Sequence, residues 1–385
     1  MSNSKDKTPV VLQVLPEMET GGVERGTVEI ASGMKEKGIK NFVASQGGQM
    51  VHELDKLKVK HFTLSLKSKN PFKILKNAKI LEKIIKENGI NIVHARSRAP
   101  AWSAYLAAKR AGVKFMTTFH GTYGLGPFGI KKAYNKVMTY GQLVIAISEH
   151  IKQHMLKNYK IDESRIRIVH RCVDLERFSP KNVTQERMIN KVKEYNIPDD
   201  KPVLFLGGRI TRWKGQHLLI EALSKMKNKN FYAIIAGDEQ GRIDYVNELR
   251  SLIEKYGLQG KVCIKGKVLD MPAAMMVSNI VLSTAIEPEA FGRISIEGQA
   301  MGKIVVASNI GGSLETITDG VTGKLFVSND AQSLADALDW ALSLSADEAK
   351  KISQAALKNV KDNFTKQIMC DKTIKVYHEL LNINE

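Results

Sequence analysis

Short runs of apolar, mostly β-branched residues recur along this chain, and most are followed by a stretch whose apolar residues repeat at helical spacing. The first run, residues 10–15, ends in a loop holding Gly21 and Gly22, after which residues 24–37 read as a helix closed by Gly38. Further strands are predicted at residues 41–45, 92–94, 115–119, 143–146 and 166–169. A second series begins at 203–206 and continues at 232–236, 261–265, 280–283 and 304–307. Strand and helix in strict alternation fit an open, mainly parallel sheet. With 385 residues, one core is too small for the chain. The expected fold is therefore α/β, with two doubly wound, Rossmann-like domains that bind ligands at the carboxyl ends of their strands, in a cleft between them. Residues 1–180 are read as the first domain, the polar stretch 181–200 as a linker and residues 201–363 as the second domain.

Two loops of the second domain carry chemistry. Residues 289–297 read Glu-Ala-Phe-Gly-Arg-Ile-Ser-Ile-Glu. A strand at 280–283 delivers Glu289 on the loop at its carboxyl end, and Gly292 opens a helix with Glu297 in its second turn. The N–H groups of Gly292, Arg293 and Ile294 then point out of the helix start, where the dipole favours an anion or a hydroxyl-rich ligand. After the strand at 203–206 comes Gly207-Gly-Arg-Ile-Thr-Arg-Trp-Lys-Gly215. It sets Arg209 and Lys214 on one loop at a strand end, where two fixed cations can meet an anionic ligand. The sequence has no Asp-x-Asp, no His/Cys cluster and no Cys-x-x-Cys, so no metal and no cofactor are expected, and the two cations are expected to do a metal's work.

These motifs, with Gly311-Gly312, Glu315 and Asp319-Gly-Val-Thr-Gly323, resemble the nucleotide-sugar site of the retaining family 4 glycosyltransferases with the GT-B fold. The resemblance implies a nucleoside-diphosphate sugar as donor. It implies that Arg209 and Lys214 clamp the diphosphate, that Glu297 holds the ribose hydroxyls, and that Glu289 with the N–H groups of Arg293 and Ile294 holds the transferred sugar. Gly21 and Gly22 match the family's amino-terminal glycine loop, which closes on the donor. His120, in Thr117-Thr-Phe-His-Gly-Thr-Tyr123, matches a histidine used near the reacting sugar, although a purely structural histidine fits the residues equally well. In this family the leaving phosphate itself is thought to take the acceptor proton, so no protein nucleophile is implied.

The stretch His94-Ala-Arg-Ser-Arg-Ala-Pro-Ala-Trp-Ser103, together with the segments 118–123 and 211–216, is similar to bacterial lipopolysaccharide core glycosyltransferases of the mannosyltransferase kind. GDP-mannose or a UDP-sugar as donor, and a lipid-linked lipopolysaccharide core or related surface glycan as acceptor, follow from that similarity. Arg96 and Arg98 would hold an acidic or phosphorylated acceptor, or would form ion pairs. The last helix, residues 364–385, is expected to cross back to the first domain. Cys172 stands where such sequences usually have glycine, which puts the local turn in doubt. A GT-B sugar-nucleotide epimerase or hydrolase, and a non-catalytic glycan- or nucleic-acid-binding protein, are the alternative functions.

Charge narrows the partners. Residues 1–180 hold 31 Lys and Arg against 15 Asp and Glu, whereas the remainder holds 27 against 25. Residues 56–86 contain ten lysines and one acid, Glu82. Phe72, Leu75, Ala78, Leu81, Ile84 and Ile85 recur there at helical spacing and are expected to face a sheet. Lys73, Lys76, Lys79, Lys83 and Lys86 fill the outer face, which suits an anionic membrane surface. Nucleic acid is not expected, because no recognition module is present and aromatic residues make up 6% of the chain. Cys172, Cys263 and Cys370 lack pairing or metal spacing, the run 10–15 is too short for a signal-peptide core, and no apolar stretch approaches a membrane span. The expected location is the cytoplasm, peripheral to the inner membrane.

Overall fold

The computed structural model describes residues 8–382. Residues 1–7 and 383–385, which the expected first domain and last helix included, lie outside the described residues. The chain divides into two compact units: residues up to Arg171 with the helix Lys366–Asn382, and Cys172–Thr365.

In the first unit seven parallel strands, β1 (Val10–Val14), β2 (Lys40–Ser45), β3 (Lys60–Thr63), β4 (Ile92–Ala95), β5 (Lys114–Phe119), β6 (Leu143–Ala146) and β7 (Ile166–Ile168), lie in the order β3-β2-β1-β4-β5-β6-β7. The second unit has six, β8 (Val203–Gly207), β9 (Tyr232–Ala236), β10 (Val262–Lys265), β11 (Ile280–Ser283), β12 (Ile304–Ser308) and β13 (Lys324–Phe326), in the order β10-β9-β8-β11-β12-β13. Each sheet therefore reverses its winding once, beside β1 and β4 in the first and beside β8 and β11 in the second. At such a reversal the crossovers diverge to opposite faces and leave a crevice at the carboxyl ends of the two strands.

The central strands are buried throughout, as their apolar runs require. Two strands have no such run and are missing from the sequence-based reading: β3, Lys-His-Phe-Thr, and β13, Lys-Leu-Phe. Both are edge strands that pair on one side only, so part of each stays exposed and neither needs a continuous apolar sequence.

In the first unit the helix Gly22–Glu36 packs closely on Lys366–Asn382. Closeness comes from Gly33, where a Cβ would fall 2.6 Å from Cβ and Sγ of Cys370. Burial pushes the Cys370 thiol up to about 12, so it is a packing residue and not a nucleophile.

Three expectations change. The stretch 181–200 is not an open linker: it contains the helix Gln185–Tyr195, capped by Thr184, with Tyr195 fully buried and the Arg187 fork on Asp270 at 2.7 Å, all within the second unit. The lysine-rich helix Pro71–Asn88 is capped by Asn70 and stopped by Gly89 in the left-handed conformation. It packs along the helix Arg98–Ala111 and buries only the later part of its apolar stripe. Phe72 and Leu75 remain 82% and 46% exposed. Finally, Cys172 is buried and lies outside the left-handed region, so the position does not demand glycine.

Candidate functional site

The winding reversal of the second sheet brings both predicted motifs to the same end of the sheet. The loop after β8 and the loop after β11 are laced together: Ile286 N donates to Trp213 O at 2.9 Å and Thr284 Oγ1 donates to Lys214 O at 2.9 Å. Gly215 makes this possible. Its φ is +70°, and a Cβ there would fall 1.9 Å from the carbonyl oxygen of Thr284. The result is an ion pair: Lys214 Nζ donates to Glu289 Oε1 at 2.7 Å, with side chains only 17% and 11% exposed. Ser283 Oγ donates to the same carboxylate oxygen at 3.2 Å.

The third loop closes on this pair from β12. Gly312 N donates to Glu289 O at 2.9 Å, and a Cβ on Gly311 or Gly312 would run into the backbone of Glu289 or Phe291. Gly292 is left-handed and caps the helix Arg293–Ala300, in which Arg293 pairs with Glu297 at 3.3 Å. Gly298 lets that helix settle on the sheet, since a Cβ would already lie 3.0 Å from Val281 and Val305. Arg209 is exposed and makes no ion pair among the described residues, while its carbonyl accepts from Gln216 Nε2 at 3.0 Å. Thus one cation of the motif is free and the other is neutralised by a neighbouring carboxylate.

In the first unit the carboxyl ends of β4 and β5 lead into a buried cationic cluster. Arg96 is 1% exposed and donates to Gln13 Oε1 at 3.1 Å. Arg171 is 4% exposed, 3.7 Å from the Glu29 carboxylate, and donates to Gly22 O at 2.5 Å. That last bond anchors the Gly21-Gly22 turn, and Gly26 is needed beside it because a Cβ would strike the Arg171 guanidinium. His94 hydrogen-bonds Tyr377 and Thr118 at 2.8 and 2.7 Å. His120 Nε2 is buried without a hydrogen-bond partner. Arg98 is half-buried, with its guanidinium 4.4 Å from the Tyr123 ring and bonded to Asn135 Oδ1 at 3.2 Å.

Two family models match the chain: "Glycosyltransferase Family 4" over residues 20–177 and "Glycosyl transferases group 1" over residues 188–359. A glycosyltransferase structure from Rickettsia africae ESF-5 is 44% identical, covers 98% of this chain and 100% of its own, and superposes with a TM-score of 0.90. The chain belongs to the family 4 glycosyltransferases. The Anabaena protein Alr3699/HepE, solved with UDP-glucose, shares the GT-B fold with a TM-score of 0.81 at 20% identity over 96% of this chain and 99% of its own. A D-inositol 3-phosphate glycosyltransferase of Xylanimonas cellulosilytica is 26% identical over 283 residues, 70% of this chain and 67% of that relative. The match spans 64% and 59% of the next two curated relatives.

In this glycosyltransferase the two arginines, read as acceptor ligands or as ion-pair partners, have different settings. Arg96 lies below the surface inside the cationic cluster. Arg98 braces the Tyr123 loop. Neither was distinguishable by sequence, because both follow the same strand end. Sequence reasoning also missed Ser283, Thr284 and Gln216, whose polar side chains fix the two loops. The signal was available in part: polar residues at the exit of a buried strand need partners. Among the described residues no three His, Cys, Asp or Glu side chains are grouped to hold a metal ion, and no helix is long and apolar enough to cross a membrane.

The cationic cluster makes a pH prediction. Burial, then the charge of Arg96, holds His94 well below the ordinary 6.5, and burial followed by Arg96, Arg171 and His94 does the same to His120. Below pH 6.5 the unfolded chain therefore binds protons that the folded chain refuses, so stability falls as pH falls. The melting temperature should decline between about pH 7 and 5, and less steeply in a His94→Gln/His120→Gln variant. An unchanged slope in that variant would place the acid sensitivity elsewhere.

Proposed function

We propose that this glycosyltransferase moves a sugar from a nucleoside-diphosphate donor, a UDP-sugar or GDP-mannose, to a lipid-linked surface glycan such as a lipopolysaccharide core, with retention of configuration and without a metal ion. The observation that carries the donor half is the arrangement at β8 and β11: an exposed Arg209, a Lys214 shared with Glu289, and the start of the helix Arg293–Ala300 at the same sheet end. A diphosphate is the ligand whose charge draws on all three. In the proposed step the bond from the anomeric carbon to the diphosphate oxygen breaks and the acceptor oxygen bonds to that carbon on the same face. The departing diphosphate oxygen accepts the acceptor's proton. Arg209, Lys214, Gly292, Arg293 and Ile294 hold the donor, Glu297 its ribose and Glu289 the transferred sugar. Gly21, Gly22 and a neutral His120 take part in substrate binding.

The acceptor half rests on charge. The exposed lysines of the helix Pro71–Asn88 and the uncovered Phe72 support docking on an anionic membrane, where a lipid-linked acceptor resides. Lys83 and Lys86 also serve Glu87 and Glu82 at 3.6 and 2.7 Å, which leaves Lys73, Lys76 and Lys79 as the stronger contributors. The test is a panel of UDP- and GDP-hexoses assayed for hydrolysis and transfer with and without EDTA. One donor consumed at the same rate in both, with the product anomer matching the donor by NMR, supports the reading. Activity lost in EDTA and restored by manganese contradicts it.

A further inference from the structure

The longest stretch without a negative side chain holds lysines that none of the roles above uses. Between Glu87 and Glu149 the chain has eight Lys and Arg and no Asp or Glu. Three of those cations, Lys131, Lys132 and Lys136, fall in the crossover from β5 to β6. There a groove of about 470 Å³ runs between the helix Ile130–Asn135 and the end of the helix Glu149–Asn158, lined by Lys132, Lys136, Lys157 and Lys160 and by no acid. All four lysines are exposed, and none makes an ion pair among the described residues. Lys157 has a local partner in the carboxyl-terminal dipole of the helix Glu149–Asn158, and Lys160 lies just past its end. Lys132 and Lys136 approach from a different element, so four like charges converge on one concavity at a repulsive cost that an anion would relieve.

An apolar knob stands at the rim. Phe128 is wholly exposed, Ile130 is 70% exposed, and Phe128 is held at φ +52°, a left-handed conformation that a bulky residue adopts at a cost. Lys69 Nζ lies 6.0 Å from the Tyr134 ring, which ties the start of the helix Pro71–Asn88, with its exposed Phe72, to the same corner. Cations around a concavity with bare apolar side chains beside it fit an amphiphile whose phosphate enters the groove while its chains meet the knob. A single strand of nucleic acid seated in the groove would stack its bases on aromatic faces there. The one aromatic residue of the lining, Tyr159, is buried with its ring against Phe119 and His154.

We propose that the groove of Lys132, Lys136, Lys157 and Lys160 binds the phosphate headgroup of a membrane lipid, with Phe128 and Ile130 entering the apolar layer beside it. It gives the membrane docking of the proposed function a specific headgroup site and rests on that reading for its purpose. Binding is tested apart from transfer, with the full chain sedimented on phosphatidylcholine vesicles containing phosphatidate, or phosphatidylserine at equal surface charge. The parent should prefer phosphatidate, whose phosphate is unsubstituted. Replacing the four groove lysines with glutamine should abolish that preference and weaken phosphatidate binding by ~10² or more, given the contribution of each lysine near such a surface. Phe128→Ser should weaken binding to both vesicles. Replacing Lys73, Lys76, Lys79, Lys83 and Lys86 with glutamine should lower both without removing the preference, which separates failure of the groove from failure of general docking. Donor hydrolysis should be unchanged in the groove variant. A groove variant that keeps the preference overturns the proposal. So does displacement of the parent from phosphatidate vesicles by an oligonucleotide but not by inorganic pyrophosphate. Pyrophosphate binding to the groove without vesicle binding would assign it to a soluble phosphate and overturn the lipid.

Discussion

Lys214→Ala should lower donor turnover by ~10² or more, because a preorganised cation facing developing charge contributes at least a few kcal/mol to the transition state. The structure adds a complication that decides how the experiment is built. Lys214 is paired with Glu289 at 2.7 Å in a largely buried setting, so removing it also leaves a carboxylate with Ser283 as its remaining partner. Loss of activity in the single variant is therefore ambiguous between a missing clamp and a stray negative charge. The double variant Lys214→Ala/Glu289→Gln, read against Glu289→Gln alone, separates them: the stray charge is gone from both, and the clamp is the difference between them. Turnover should stay well below that of Glu289→Gln in the double variant. Equal turnover in the two would mean that Lys214 does no more than neutralise Glu289, and the diphosphate assignment would fall.

Much of the fold was legible because parallel strands are buried on both faces and must be written as continuous apolar runs. Phe205 and Leu206 in β8, or Val305 and Val306 in β12, admit no exposed position. The edges were not legible for the converse reason. Lys60, in β3, and Lys324, in β13, sit in strands that pair on one side only and so need no such run. Helix Pro71–Asn88 shows a different limit: periodicity marked its apolar stripe, but whether Phe72 is covered depends on tertiary packing, and nothing local encodes that.

The same division holds at the candidate site. Residue type and spacing located Arg209, Lys214 and Glu289 on the loops at strand ends and Glu297 in the helix that follows Gly292. Pairing was not legible. Nothing in Lys214 or Glu289 announces that residues 75 apart in sequence share a hydrogen bond; that follows from Gly215 admitting the carbonyl of Thr284. Arg96 and Arg98, two residues apart, take different fates because they stand in different local structures: Arg96 directly follows β4 and is buried beside Gln13, whereas Arg98 opens the helix Arg98–Ala111 and reaches Tyr123.

The two glutamates should separate cleanly in binding and turnover. If Glu297 holds the ribose, Glu297→Ala should weaken free nucleoside-diphosphate binding by about tenfold or more, as expected for hydrogen bonds from neutral hydroxyls to a charged acceptor. Its tie to Arg293 at 3.3 Å adds that the released guanidinium could offset part of this loss by turning toward the phosphates, so Glu297→Ala/Arg293→Gln should bind more weakly still. Glu289 behaves in the opposite sense. Removing it frees Lys214 from its partner, so Glu289→Ala should bind free nucleoside diphosphate as tightly as the parent or more tightly, while turnover of the intact donor drops because the transferred sugar has lost its acceptor. Calorimetric titration with UDP and GDP reads the first quantity, and single-turnover donor cleavage reads the second. Weaker nucleotide binding in Glu289→Ala, to the extent seen for Glu297→Ala, would show that both carboxylates serve the nucleotide and that the sugar is held by other groups.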